Sequence, residues 1–356
     1  MNKILAESRE VTASEERHLG NSVFFVAPGV WRIKDVFVNM FIIQNKEGTN
    51  WVLVDAGLKS SGAKIKNTVK ELFGSISSPS AIIITHGHFD HRGSLKQLAD
   101  EFGAPVYCHH MEIPYLAGKA SYPPADPTVG GGMMTYLSFA YPRGPIDVHD
   151  HLSELTEDNT VPALTDWKWI HTPGHTPGHI SLFREQDGVL IAGDAIVTTK
   201  QESIYGVATQ VEIMSGPPRY FTPDWGSAAR SVKELAALEP NIIATGHGHS
   251  LYGESARKRL HKLSKDFWVL GMPLKGRYVK EPALFTDEGP SYIPPARNNY
   301  LYIRLFAAAA LLVVGYMIYS KRSKKAGLFN NKRSGKMMMK SFPKALSLPN
   351  LPAPIL

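Results

Sequence analysis

Cysteine is almost missing from this chain: Cys108 is the only one in 356 residues. That excludes an intrachain disulfide and is compatible with a reducing compartment. Acidic residues are missing from the end. From Lys321 onward there are nine basic side chains and no Asp or Glu. Removing those nine from the 39 Lys and Arg leaves 30 against 32 Asp and Glu, so residues 1–320 carry about −2. The net charge of +7 therefore describes the tail and not the body. A near-neutral body is not that of a nucleic-acid binder. An apolar run is missing from residues 1–20, so no secretory signal is predicted there. Charge itself is not in excess. At 20% charged and 43% hydrophobic, the chain is a folding one with enough apolar residues for a large core, in one domain or two.

What is present falls into five stretches. Residues 1–20 are a polar N-terminal segment. Residues 21–265 read as the catalytic body, 266–297 as a linker, 298–320 as a hydrophobic helix and 321–356 as a basic, disordered tail. In the body, strand-like runs begin at Ser22–Val26, Val36–Gln44 and Trp51–Asp55, with Asn45–Asn50 as a hairpin turn. Helices are predicted over Ser60–Phe73, Ser94–Phe102 and Gly226–Leu238. Between them one pattern recurs: a short apolar run ends in a polar loop. Ala81–Thr85 leads to His86, Trp167–His171 to His175, Val189–Ala192 to Asp194 and Asn241–Thr245 to His247. Runs of this kind fit strands covered on both faces and predict a layered α/β architecture.

Two stretches break the pattern. Residues 112–165 are rich in Pro, Gly, Met and Tyr and read as an insertion that forms a lid or pocket wall. Residues 298–320 carry Arg304 as their only charge, have tyrosines at both ends and run straight into the basic cluster. That combination suits a single transmembrane helix. The positive-inside rule places the basic tail in the cytoplasm and so the catalytic body outside, whereas the lack of an export signal argues for a body inside, and a membrane-surface contact of the tail also fits. The expectation is a cytoplasmic body tethered to a membrane.

The chemistry is concentrated in His86-Gly87-His88-Phe89-Asp90-His91. Four ligand-type side chains lie in six residues directly after a buried strand. Histidines two apart in extended chain point to one side, so His86 and His88 can share an ion. The turn toward the helix near Ser94 re-aims Asp90 and His91 toward a second. Gly87 and Gly93 permit that tight path. Two adjacent ions need further ligands, and the other strand-end loops offer them: His175 in Thr172-Pro173-Gly174-His175-Thr176-Pro177-Gly178-His179, Asp194 in Ala192-Gly193-Asp194-Ala195, and His247 in Thr245-Gly246-His247-Gly248.

The pattern HxHxDH, then a distant His, an Asp and a His, resembles the metallo-β-lactamase superfamily over roughly residues 20–255. The string TPGHTPGH most resembles its glyoxalase II-like and lactonase-like hydrolases. The resemblance implies a four-layer αβ/βα sandwich with the site at one edge of two sheets. It implies one metal on His86, His88 and His175, a second on Asp90, His91 and His247, and Asp194 bridging them. Asp55, in Val54-Asp55-Ala56-Gly57, would support the ligand loop, and His179 and His249 sit beside the motifs as further supports. Antibiotic-degrading members commonly use a cysteine ligand. Cys108 does not match that position, which disfavours β-lactamase activity.

An all-nitrogen-and-oxygen ligand set suits two Zn²⁺, with Fe or Mn tolerated. The expected reaction is hydrolysis of an ester, lactone or thioester, with Asp90 orienting water and moving its proton. The apolar residues Met133, Met134, Tyr136, Phe139 and Tyr141 suggest a small hydrophobic acyl substrate. Two other readings compete with this one: a persulfide dioxygenase-like enzyme with a single iron, and a non-catalytic, membrane-associated metal-binding protein.

Overall fold

The structure, a computed structural model, describes residues 15–296 together with Ala308, Leu311 and Leu312. The chain divides into a unit of Met1–Asn298 and a unit of Asn299–Leu356. The apolar helix expected over 298–320 and the basic tail lie outside the described residues apart from those three, which are helical. Among the described residues no helix is long and apolar enough to cross a membrane.

Two sheets form the body. The first has eight strands in chain order: β1 (Arg17–Gly20), β2 (Val23–Ala27), β3 (Val30–Asp35), β4 (Val38–Gln44), β5 (Trp51–Val54), β6 (Ala81–Ile83), β7 (Val106–Cys108) and β8 (Leu152–Glu154). It is an antiparallel meander as far as β5 and parallel from β5 to β8. The second sheet orders its strands β14 (Leu251–Tyr252), β13 (Ile242–Ala244), β12 (Val189–Ile191), β11 (Ile180–Arg184), β10 (Leu164–His171) and β9 (Thr160–Val161). Its one parallel pair is β12 with β13. A separate hairpin joins β15 (Leu284–Thr286) and β16 (Gly289–Tyr292).

The two-residue alternation of strands sorts the apolar residues into layers. Ile42, Leu53 and Ile82 face the helices Ser61–Phe73 and Leu95–Phe102, meeting Ile65, Val69, Leu95 and Leu98. Their neighbours Phe41, Ile43, Val52, Val54, Ala81 and Ile83 face the other way, toward Trp167, Leu182, Val189, Ile191 and Ala244 of the second sheet. On the far side, Leu190 and Ile243 pack against Val232 and Leu235 of the helix Trp225–Ala237 and Leu260 of the helix Gly253–Lys265. The result is four layers, helix, sheet, sheet, helix, with three apolar cores between them. Strands buried on both faces explain why β5, β6, β12 and β13 read as unbroken apolar runs.

Residues 112–165 carry the chain from one sheet to the other. They hold the short helices Ile113–Leu116 and Met133–Leu137, then β8 on the edge of the first sheet and β9 on the edge of the second. Parts of this crossover, including Met134 and Tyr141, pack with Phe89, Tyr220 and Phe221 in a small fourth apolar cluster.

Candidate metal centre

Strands β5, β6, β10, β12 and β13 all deliver their C-terminal ends to the same edge of the sandwich, and the loops beyond them carry the polar residues. β5 ends at Val54, and Asp55 follows in the left-handed region at φ +62°. A non-glycine residue pays for that conformation and is found there when surrounding contacts over-determine it. Here the contacts are on the carboxylate. Its Oδ1 accepts from the Thr85 backbone N–H at 2.8 Å, its Oδ2 accepts from the Thr85 hydroxyl at 2.8 Å, and Oδ2 lies 2.8 Å from His91 Nδ1. Asp55 thus fixes the start of the histidine loop and turns His91 Nε2 outward to the centre.

The seven ligand-type residues converge and are all buried. Three groups have ligand-type atoms within 4.8 Å of one another: His86, His88 and His175; His86, His91 and Asp194; Asp90, His91 and His247. His88 Nδ1 lies 2.9 Å from His175 Nε2. Asp194 stands between the groups, with Oδ2 at 3.1 Å from His247 Nε2 and 3.4 Å from His175 Nε2, and Oδ1 at 3.6 Å from His91 Nε2. Asp90 Oδ2 is 3.5 Å from His247 Nε2. His86 Nε2, His91 Nε2 and Asp194 Oδ1 are buried with no hydrogen-bond partner in the protein. Buried polar atoms are almost always satisfied, so three orphans aimed at one point fit divalent cations.

Electrostatics agree with that fit at three of the five histidines. Burial holds His86 and His88 well below the usual histidine range, and takes His175 down to about 3. All three are therefore neutral imidazoles, the form that binds metal. Burial opposes charge on His91 and His247 too, but Asp194 beside both pushes them up. Burial would raise Asp194; His247 and His91 outweigh it and hold the carboxyl well below its ordinary value. Asp90, with weaker compensation, is raised by burial.

Each ligand loop is held from behind. His179 Nε2 accepts from the Asp194 backbone N–H at 2.9 Å, and its Nδ1 lies 2.8 Å from the Thr172 hydroxyl. His249 is half-buried, with its Nδ1 2.9 Å from Glu16 Oε2, and touches none of the seven side chains directly. His247 Nδ1 lies 2.7 Å from the Phe37 carbonyl. Gly246 leaves room at the centre: a Cβ there would collide with Asp194 Oδ1 and lie 2.7 Å from His91 Cε1.

Two supports carry no sequence motif. Glu112 is fully buried, and its carboxylate accepts four hydrogen bonds. Oε2 takes the Gly87 backbone N–H at 2.9 Å and the Tyr122 hydroxyl; Oε1 takes the Thr176 hydroxyl at 2.7 Å and the Gly178 N–H at 2.9 Å. It ties the His86–His91 loop to the His175 loop. Asn39 of β4 does the same for the His247 loop. Its Nδ2 donates to the carbonyls of Thr245 and Gly248, each at 2.8 Å, and its backbone N–H to Gly246 O at 2.8 Å. Arg32 NH1 donates to Asn39 Oδ1 at 2.6 Å, and its other nitrogens reach both Glu16 oxygens at 2.6 and 2.7 Å. The available signal was a lone polar residue inside an apolar strand: Asn39 in Val38–Ile43, Arg32 in Val30–Ile33.

Comparison with known proteins gives a consistent family. The chain is 45% identical over 242 residues to the probable metallo-hydrolase YflN of Bacillus subtilis (strain 168), covering 68% of this chain and 92% of that protein. It is 26% identical over 215 residues to the probable metallo-hydrolase YybB of the same organism, covering 60% and 83%. Among solved structures, the BLEG-1 B3 metallo-beta-lactamase matches with a TM-score of 0.45 and 24% identity, over 67% of this chain and 93% of that one. The family model for the metallo-beta-lactamase superfamily matches residues 33–247, which span every one of the seven converging side chains, and the chain belongs to that superfamily.

Proposed function

We propose that this metallo-hydrolase cleaves an ester, lactone or thioester bond of a small hydrophobic acyl substrate, using two Zn²⁺ ions in the glyoxalase II-like or lactonase-like manner. The observation that carries the reading is the complete seven-residue cluster with its three orphaned atoms. His86, His88 and His175 would hold one ion, Asp90, His91 and His247 the other, with Asp194 between. When bound, such ions supply a water acidic enough to attack at neutral pH and stabilise charge developing on the carbonyl oxygen.

The chain's own residues do the rest. Asp90, raised by burial and 3.5 Å from His247, is placed to take a proton from the attacking water and pass it to the leaving group. Phe221 stacks on His88 with ring centroids 4.6 Å apart, covering that imidazole with an apolar wall. A cavity of about 720 Å³ is lined by Leu58, Phe89, Pro142, Pro145 and Ile146, with Lys59 and Arg92 among them; it borders the histidine loop through Phe89 and Arg92 and is lined by none of the seven ligand-type residues. That lining suits an acyl group. The apolar sequence 298–320 and the basic tail support association of the chain with a membrane.

The test is metal content and turnover together. Chain purified without chelator should hold two zinc ions and cleave acyl lactones or thioesters, with KM falling as the acyl chain lengthens. One iron per chain would move the assignment to a persulfide dioxygenase-like enzyme. A fully loaded chain without turnover on any carbonyl substrate would leave a metal-binding protein.

A further inference from the structure

The surface over the candidate metal centre is unusually apolar. Between residues 15 and 296, seventeen large apolar side chains are exposed, and twelve of them fall in three short segments, 133–139, 204–213 and 268–274. The most exposed are Tyr205 at 71%, Val269 at 75% and Leu274 at 96%, with Trp268 at 55%. Isolated exposed apolar residues need no explanation, but a contiguous patch does.

These three segments are stitched together. The Met134 backbone N–H donates to the Glu202 carbonyl at 3.1 Å, two residues before the helix Ile204–Thr209. Arg219 then bridges the other gap: its backbone N–H reaches Glu202 Oε1 at 3.1 Å and its NH2 reaches the Leu270 carbonyl at 2.9 Å. Directly beneath lies the fourth apolar cluster, where Tyr141 donates to the Met134 carbonyl at 3.0 Å and Phe221 reaches His88. The Met134 segment thus meets the cluster whose Phe221 stacks on His88.

We propose that this patch docks on an anionic lipid surface, so that the hydrolase receives an amphiphilic substrate from the bilayer. Three observations select lipid over a second protein copy. The only charge in the three segments is Glu212, which is paired with Arg259, so one ion pair is all the charge that the segments would bring to an acyl layer. Exposed Lys200, Lys265 and Lys275 lie within four residues of Ile204, Trp268 and Leu274, against one exposed acid, Asp266, at that range, a net basic boundary as expected beside headgroups. Trp and Tyr are the side chains that favour that boundary. Third, residues 298–320 are a stretch of 23 residues with Arg304 as its one charge, followed by nine basic residues, the composition of a lipid-seeking segment. The proposal rests on the hydrolase reading for its substrate, but not for its binding.

The test separates the two. Both sheets and all three cores lie within residues 15–296, so a chain ending at Ala296 holds a self-contained fold and lacks the 298–320 stretch. It is floated with vesicles of phosphatidylcholine and phosphatidylglycerol, beside the variant Y205S/W268S/V269S/L274S. These four positions are solvent-facing, so unchanged thermal melting is expected. The parent should rise with the vesicles and the variant should bind at least ten-fold less. In the full chain, the same variant should lose at least ten-fold in activity on a long-chain ester in vesicles and keep its activity on a short soluble ester. Failure of the parent to float, or equal flotation of the variant, overturns the proposal. So does a parent dimer that the variant converts to monomer without any vesicle binding, which would assign the patch to a second copy. Flotation without turnover on any ester would leave the docking surface standing and remove the hydrolase reading alone.

Discussion

A single buried carboxylate shows how the centre is held. Glu112 accepts from two backbone N–H groups and two hydroxyls, so all its lone pairs are used, although burial raises its pKa. Glu112→Gln keeps the shape but turns one oxygen into a donor facing donors. The expected cost is about 1–3 kcal/mol, with a lower melting temperature and at least a ten-fold loss in kcat/KM, because His88 and His175 ride on the tied loops. Full stability and activity in this variant, read by melting and steady-state kinetics, would show that the loops hold themselves. None of this was legible in the sequence. His86, His88, Asp90 and His91 announce themselves by density in six residues. Glu112 stands alone in His110–Ile113, and its partners are 25, 10, 64 and 66 residues away. His249 acts at one remove: the chain turns through Gly248, at φ +101°, and the ring meets Glu16, which pairs with Arg32 behind Asn39.

Among the elements, strands were easier to read than the contacts between them. Apolar runs covered on both faces located β5, β6, β12 and β13 to within two residues, and the turn Asn45–Asn50 closes with Asn45 N–H on the Asn50 carbonyl at 2.9 Å. β3 was missed because Arg32 and Lys34 interrupt its apolar run. Arg32 is there to pair with Glu16 and Asn39, and that pairing couples β3 and β4 to the loop after β13. Two outcomes follow. Asn39→Ala removes three side-chain hydrogen bonds, those to Thr245 O, Gly248 O and Arg32, and should cost about 2–4 kcal/mol. It should also lower the affinity for the ion on His247 and spare the one on His86, His88 and His175. Titration of apo-chain with zinc would then show one tight and one weakened step; two unchanged steps would sink the clamp. The second outcome concerns acid. Burial alone would raise Glu16, but the His249 hydrogen bond and the Arg32 guanidinium hold its carboxyl at about 2. A carboxyl lowered in the folded state stabilises above its unfolded value of 4.5, and that stabilisation drains away as pH falls toward 2. Its size is on the order of 3 kcal/mol. Denaturant midpoints measured across that window should fall more steeply for the parent than for Glu16→Gln; parallel curves would deny Glu16 the role.

At the scale of the whole molecule, the centre is a seam. His86, His88, Asp90 and His91 belong to the first sheet, whereas His175, Asp194 and His247 belong to the second. Any ion held between them joins two layers that otherwise meet through the apolar core of Phe41, Val54, Trp167 and Ile191. Without a cation, His86 Nε2, His91 Nε2 and Asp194 Oδ1 are buried without hydrogen-bond partners, and such an atom costs about 1–3 kcal/mol, less at His91 and Asp194, which face each other at 3.6 Å. Binding reverses that cost and adds its own linkage: at a free concentration a thousand times Kd, one ion contributes about 4 kcal/mol. Chelation should therefore lower the melting temperature by roughly 10 °C or more, at about 2–4 °C per kcal/mol for a domain of this size. Returning zinc should restore it, and His88→Ala should melt near the chelated parent and respond less to the metal. Calorimetric scans of parent and variant, with chelator and with zinc, read this directly. A parent whose melting is indifferent to chelator would mean that the sandwich stands without its seam, and that the seven side chains are held by packing alone.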